Sequence, residues 1–207
     1  MPPAEDTQEG PGPDWSGRDL DGADLRFARL ARANLQEASL VRARLTAADL
    51  QRSDLRGALL READLSGALL TGACLQRCDL IGAELSYAHL RGANLEQASL
   101  SEAELYRADL EGARLIEVGL HQTNLDQANL RGCDLRQAQL WRTNLHSADL
   151  TNANLAGVEL VLCNLLAANL SGANLENCRL DQSIFNRQTV FPMRFDPLQV
   201  GAVLFEQ

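Results

Sequence analysis

Leucine occupies every fifth position from Leu20 to Leu180, 33 times without a break, and Phe185 takes the next slot. Two residues before each leucine the side chain is small. Of the 32 such positions from Ala23 to Cys178, 23 are alanine; the others are Ser53, Cys78, Val118, Thr123, Cys133, Thr143, Val158, Cys163 and Cys178. The position just before leucine is Asp or Asn in 18 of 33 cases. The unit therefore reads A-(D/N)-L-x-x.

A period of five fits neither common element. On an α-helix successive leucines would rotate by about 140° and leave no stripe. On a flat strand an odd period would place alternate leucines on opposite faces. A chain that turns a corner after each unit lets every leucine face one axis. Leucine and the small residue two before it then share a narrow lumen, and the other three positions point outward. Self-similarity at a fixed period is the mark of a solenoid.

A second period gives the number of sides. Glycine recurs two residues after leucine at Gly72, Gly92, Gly112, Gly132 and Gly172, with Asn152 in the missing slot. That 20-residue spacing predicts four units per coil. Gly or Asn stacked at this one corner predicts a type II turn with positive φ there. The leucines make about eight coils, a rod of roughly 40 Å at about 4.8 Å per strand.

These repeats resemble the pentapeptide-repeat family over about four-fifths of the chain. The resemblance implies an all-β fold, a right-handed quadrilateral β-helix; the handedness rests on the resemblance alone. The closing segment, Thr189 to Pro197 followed by Gly201 to Leu204, is similar to the end of cyanobacterial-type members. The expected organisation is a flexible acidic Pro/Gly-rich segment (1–15), a repeat β-helix (16–185) and a C-terminal capping segment (186–207). Leu20, Leu100, Leu180 and Phe185 stand for the structural core.

Composition narrows the functions. The 207 residues carry a net charge of −9, and all 19 basic residues are arginine. Between Ser16 and Phe185 there are 22 acids against 17 arginines, with no basic stripe for phosphates. No direct nucleic-acid binding is expected. No apolar run approaches the roughly 20 residues of a membrane span. Five cysteines without a basic and apolar leader at the N-terminus place the protein in the cytoplasm as an expectation.

The search for chemistry finds no catalytic residue, cofactor or metal site. Cys78, Cys133, Cys163 and Cys178 take the inward small position; Cys74 precedes Leu75 and faces out. His89, His121 and His146 share no column, and no Ser–His–Asp or metal-spaced cluster assembles. Asp64, Glu84 and Glu104 stack at 20-residue intervals with Glu62 and Glu102 near them. They read as a solvated face or a docking stripe for a basic partner, with Arg44 and Arg107 placed to offset their repulsion. Beyond them Asn124, Asn144 and Asn164 read as a hydrogen-bonding ladder. Trp141, Val161 and Leu162 form an outward apolar group, and the tail is long enough to cover it. The candidate partner contacts are thus Asp64, Glu84, Glu104, Trp141, Val161 and Leu162.

Both ends of a β-helix need capping. Trp15 is placed to plug the first coil, and Asp196-Pro197 reads as the start of a short helical cap. A monomer is expected, the C-terminal end being where a dimer would form. The function expected is a non-enzymatic protein–protein interaction scaffold with an unknown protein partner. The alternative is a DNA-mimicking modulator of a type II topoisomerase (gyrase), as in quinolone-resistance pentapeptide proteins. Uninterrupted leucine centres, the absence of projecting loops and weak net acidity disfavour it.

Overall fold

The protein, seen here in a computed structural model, is described over residues 10–206; most of the expected flexible segment, residues 1–9, lies outside the described residues. Each residue before a leucine pairs in parallel with its counterpart 20 residues on, as in Asp14↔Asn34, Asn34↔Asp54 and Asp64↔Glu84. Four pentapeptides therefore make one coil, and the coils stack into four flat faces. The faces are numbered by their leucines: first Leu35, Leu55 and on; second Leu20, Leu40; third Leu25, Leu45; fourth Leu30, Leu50.

The lumen is filled. Every fifth leucine from Leu30 to Leu180 is buried, as are the small residues between them and Phe185. Leu20, expected in the core, is only half-buried, along with Leu25, because no described coil lies beneath the first one. Trp15 is half-buried against the same end, and strand pairing begins at Asp14, ahead of Ser16.

Backbone bonding explains the composition of the unit. Leu55 N donates to Cys74 O (2.8 Å), Asp54 N to Ala33 O (2.9 Å), Gly57 N to Gln76 O (3.0 Å) and Ala58 N to Leu55 O (2.9 Å). The fifth amide, just after leucine, has no backbone partner in this scheme, and an unpaired amide is costly. The side chain before leucine accepts it: Arg56 N donates to Asp54 Oδ1 at 3.2 Å. All 18 Asp and Asn residues in that position accept the amide two residues on. This Asx-turn bond is the reason for the preference.

Positive φ, expected at the glycine corner, is found there and extends to the other corners. It occurs at all 34 positions from Gly17 to Gln182 that lie two residues after the central residue, and only 11 of these are glycine. With the bond from the next amide back to the central carbonyl, every corner but those before Thr143 and Cys163 has the type II signature. Val, Ile and Thr never occupy this position, although Val41, Ile81, Thr71 and others stand one place before it. β-Branched residues tolerate the left-handed region least.

Polar residues facing the lumen are bonded. Thr123, Thr143 and Ser183 hydroxyls donate to Leu100 O (2.7 Å), Leu120 O (2.6 Å) and Leu160 O (2.9 Å). The Cys163 thiol points to Leu140 O at 3.5 Å. These residues, with Val118 and Val158, stand in place of alanine on the second and third faces. There the turn bond stretches to 3.4 Å at Thr123, and Cys163 N donates to Ser183 Oγ instead. The backbone runs straighter, giving two parallel strands, β1 (Gln139–Trp141) and β2 (Glu159–Val161).

The tail builds one more, irregular coil. Leu170 N donates to Val190 O (2.7 Å) and Leu180 N to Val200 O (2.7 Å), and β3 (Ile184–Phe185) pairs in parallel with β4 (Val203–Leu204). The Phe185, Phe191 and Phe195 rings pack in series with centroids 5.4 and 5.5 Å apart. The helical cap is a single 3-10 turn, Pro197–Val200, with Asp196 Oδ1 accepting from Leu198 N (3.0 Å) and Gly201 ending it at φ 91°.

Candidate protein-docking surface

The third face carries the acidic column. Asp64, Glu84 and Glu104 pair in register, but their side chains are occupied differently. Asp64 accepts from Thr46 Oγ1 (2.6 Å), Ser66 Oγ (2.6 Å) and Ser66 N (3.0 Å). Burial works against its charge, but these bonds outweigh it and hold the carboxyl below the usual range. Glu84 Oε1 accepts from Ser86 N at 2.9 Å. Glu104 Oε2 accepts from Asn124 Nδ2 at 2.7 Å. Asn144 and Asn164 continue the column, each amide donating one coil down at 3.0 Å, so the ladder ends on the Glu104 carboxylate.

Of the two arginines expected to offset this column, Arg44 lowers the Asp64 carboxyl through its charge, while Arg107 is engaged elsewhere. Arg107 donates to Gln127 Oε1 (2.9 Å) and lies over the Tyr106 ring, and Arg44 reaches Asp24 at 3.6 Å. Other acids are paired: Glu62 with Arg42, Glu96 with Arg114, Glu111 with Arg91 and Glu159 with Arg179. Among the described residues, Glu84, Glu102 and Glu104 belong to no ion pair.

Trp141 and Val161 stand on the second face in β1 and β2, and Leu162 on the adjoining corner. The tail does not cover them. Phe191, Phe195, Val200 and Ala202 of the tail pack on the end of the rod instead, and Trp141 and Leu162 remain 37% and 38% exposed. Arg142 lies over the indole, 4.5 Å from its centroid. A groove of about 590 Å³ runs beside the ring, lined by His121, Gln139, Gly157, Glu159 and Val161. A second hollow joins Trp141 to Glu102 and Ser101. Glu102 thus links the apolar group to the acidic column around one corner.

Sequence reasoning missed Tyr106 on the third face and Tyr87 on its corner with the fourth, whose rings meet edge-on at 5.5 Å. The signal was two outward aromatics one coil apart in a chain with 4% aromatic residues. Of the histidines, His121 Nε2 meets Gln139 Oε1 (3.0 Å) and His146 Nδ1 meets Asp126 Oδ1 (2.7 Å). Among the described residues no group of three or more His, Cys, Asp or Glu side chains could hold a metal ion. No helix among them is long and apolar enough to cross a membrane.

The cysteines divide by environment. Cys78, Cys133, Cys163 and Cys178 are buried, and Cys74 is half-exposed. Burial pushes the Cys78 and Cys133 thiols up to about 12 and that of Cys163 to about 11.

Comparison with known proteins agrees with this architecture. HetL, a pentapeptide repeat protein involved in heterocyst differentiation regulation from the cyanobacterium Nostoc sp. strain PCC 7120, is 37% identical; the match covers 82% of this chain and 81% of HetL, with a TM-score of 0.58. Alr5209, a pentapeptide repeat protein from Nostoc PCC 7120, is 32% identical over 69% of this chain and 84% of its own, with a TM-score of 0.32. QnrB1, a plasmid-mediated fluoroquinolone resistance protein, is 16% identical over 94% of this chain and 90% of its own, with a TM-score of 0.46. No curated protein matches. The model of the pentapeptide repeats family matches in eight copies, over residues 16–46, 38–77, 48–86, 78–115, 113–152 and 148–187. The fold is the right-handed quadrilateral β-helix, and the chain belongs to the pentapeptide repeat family.

Proposed function

We propose that this protein is a non-enzymatic interaction scaffold, a rigid rod that presents a flat face to a protein partner. The filled lumen carries this reading: from Leu30 to Leu180 the leucines and the residues between them leave no interior room for substrate. The outer faces remain, with side chains in columns at about 4.8 Å spacing. The contacts proposed are Asp64, Glu84, Glu104, Trp141, Val161 and Leu162. The likeness to HetL, involved in regulation of differentiation, supports a regulatory rather than metabolic partner. Five free cysteines suit a cytoplasmic setting. A DNA-mimicking role lacks a specific observation in its favour, since most acids on the rod are engaged by arginine or by neighbouring amides. Affinity capture from native cell extract on the immobilised full chain, read by mass spectrometry, tests the reading. A specific protein partner retained after nuclease treatment supports it, and recovery of nucleic acid alone would refute it.

A further inference from the structure

We infer that the corner between the second and third faces, with Trp141 as its apolar anchor, receives a basic protein segment that also carries a bulky apolar side chain. The inference rests on the scaffold reading and names the chemistry of its partner. Trp141 is partly exposed and lines two surface hollows. Leu162 extends the apolar surface onto the corner. Aromatic anchors beside pockets are where interfaces concentrate their energy.

Charge selects the occupant. The corner column reads Gly82, Glu102, Gln122, Arg142, Leu162, and Glu84 and Glu104 flank it on the third face. These three glutamates lack the arginine partners that neutralise Glu62, Glu96, Glu111 and Glu159. Arg142, the cation on this stretch of the corner, is turned onto the indole. The surface therefore offers unneutralised negative charge next to apolar area. A lysine- or arginine-bearing segment matches it, and an acidic one is repelled. The Trp141 ring already accepts one guanidinium, and the Tyr106 ring another, so both tolerate a cation at their faces.

Selection from a display library of random 12-residue peptides on the full chain tests this. The counter-selections are Trp141→Ser and the triple variant Glu84→Gln, Glu102→Gln, Glu104→Gln. All these side chains point outward, and unchanged melting curves verify that the variants fold. The expected peptides are net positive, contain a large apolar residue, and lose tenfold or more in affinity on either variant. Neutral or acidic winners would overturn the inference, as would basic winners indifferent to the triple variant. So would a parent that sediments as a dimer lost on Trp141→Ser, which would make a second copy the occupant. Peptides that bind another face would sink this surface while leaving the scaffold reading intact. Failure of capture from extract would remove that reading whatever the peptides do.

Discussion

Asn94 Oδ1 accepts the amide of Glu96 at 3.1 Å, closing the one backbone donor that the stacked coils leave over in that unit. Repeated along the rod, this bond turns a surface residue into a structural one. Asn94→Ala should lower stability by about 0.5–1.5 kcal/mol, the usual net worth of a hydrogen bond. Asn94→Asp keeps the acceptor and should melt close to the parent. Equal melting of all three would show that the Asx bond contributes nothing.

Gly92 isolates the conformational cost of a corner. Its φ is +61°, and an added Cβ would meet nothing within 4 Å. Gly92→Ala should therefore cost about 1 kcal/mol through backbone strain alone. Gly92→Val should cost more, because branching at Cβ crowds the left-handed region further. Thermal melts of the pair, ranked against the parent, decide it.

The inward leucines, the four sides and the Asn124–Asn144–Asn164 ladder could all be read from spacing, because period five admits one way for every leucine to share an axis. Positive φ at every corner was hidden by its occupants, since arginine, glutamate and glutamine fill 15 of the 23 corner positions that lack glycine. The missing Val, Ile and Thr were the available sign. The path of the tail was not legible. Its apolar residues suit either the Trp141 group or the rod end, and the choice depends on strand pairing by Val203–Leu204, which lies outside the five-residue register.

Thiol chemistry should follow burial. At pH 8 a maleimide should modify Cys74 in the native protein and leave Cys78, Cys133, Cys163 and Cys178 unmodified until unfolding. The raised folded values of Cys78 and Cys133 also set a pH effect. Their stabilising contribution is complete below the unfolded value, about 8.5, and is lost as pH rises toward about 12. Melting temperature should therefore fall above pH 9, and Cys78→Ala with Cys133→Ala should flatten that fall. Fast native labelling of the four would contradict the lumen assignment.

The tail should act as a cap that keeps the protein monomeric. Ending the chain at Asn186 removes β4, uncovers β3 and exposes Phe185. The shortened protein should oligomerise or aggregate, as unpaired strand edges do. Sedimentation velocity of both forms checks this. A full chain that is already a stable dimer would make its C-terminal end an interface instead.

The central claim, that function lies on the outer surface where the second and third faces meet and not in the lumen, is tested most directly by quantifying the captured partner across four outward variants and one lumen variant. Gln97→Arg, Trp141→Ser, Tyr106→Ser and Glu111→Arg alter the four faces in turn, and Leu100→Ala, costing about 2–5 kcal/mol, alters the lumen. The predicted result is loss of the partner with Trp141→Ser, and to a lesser degree with Tyr106→Ser, at unchanged melting temperature. Leu100→Ala should melt earlier yet retain the partner while folded. Retention of the partner by all four outward variants, or its loss only with Leu100→Ala at a temperature where that variant is still folded, would contradict the claim.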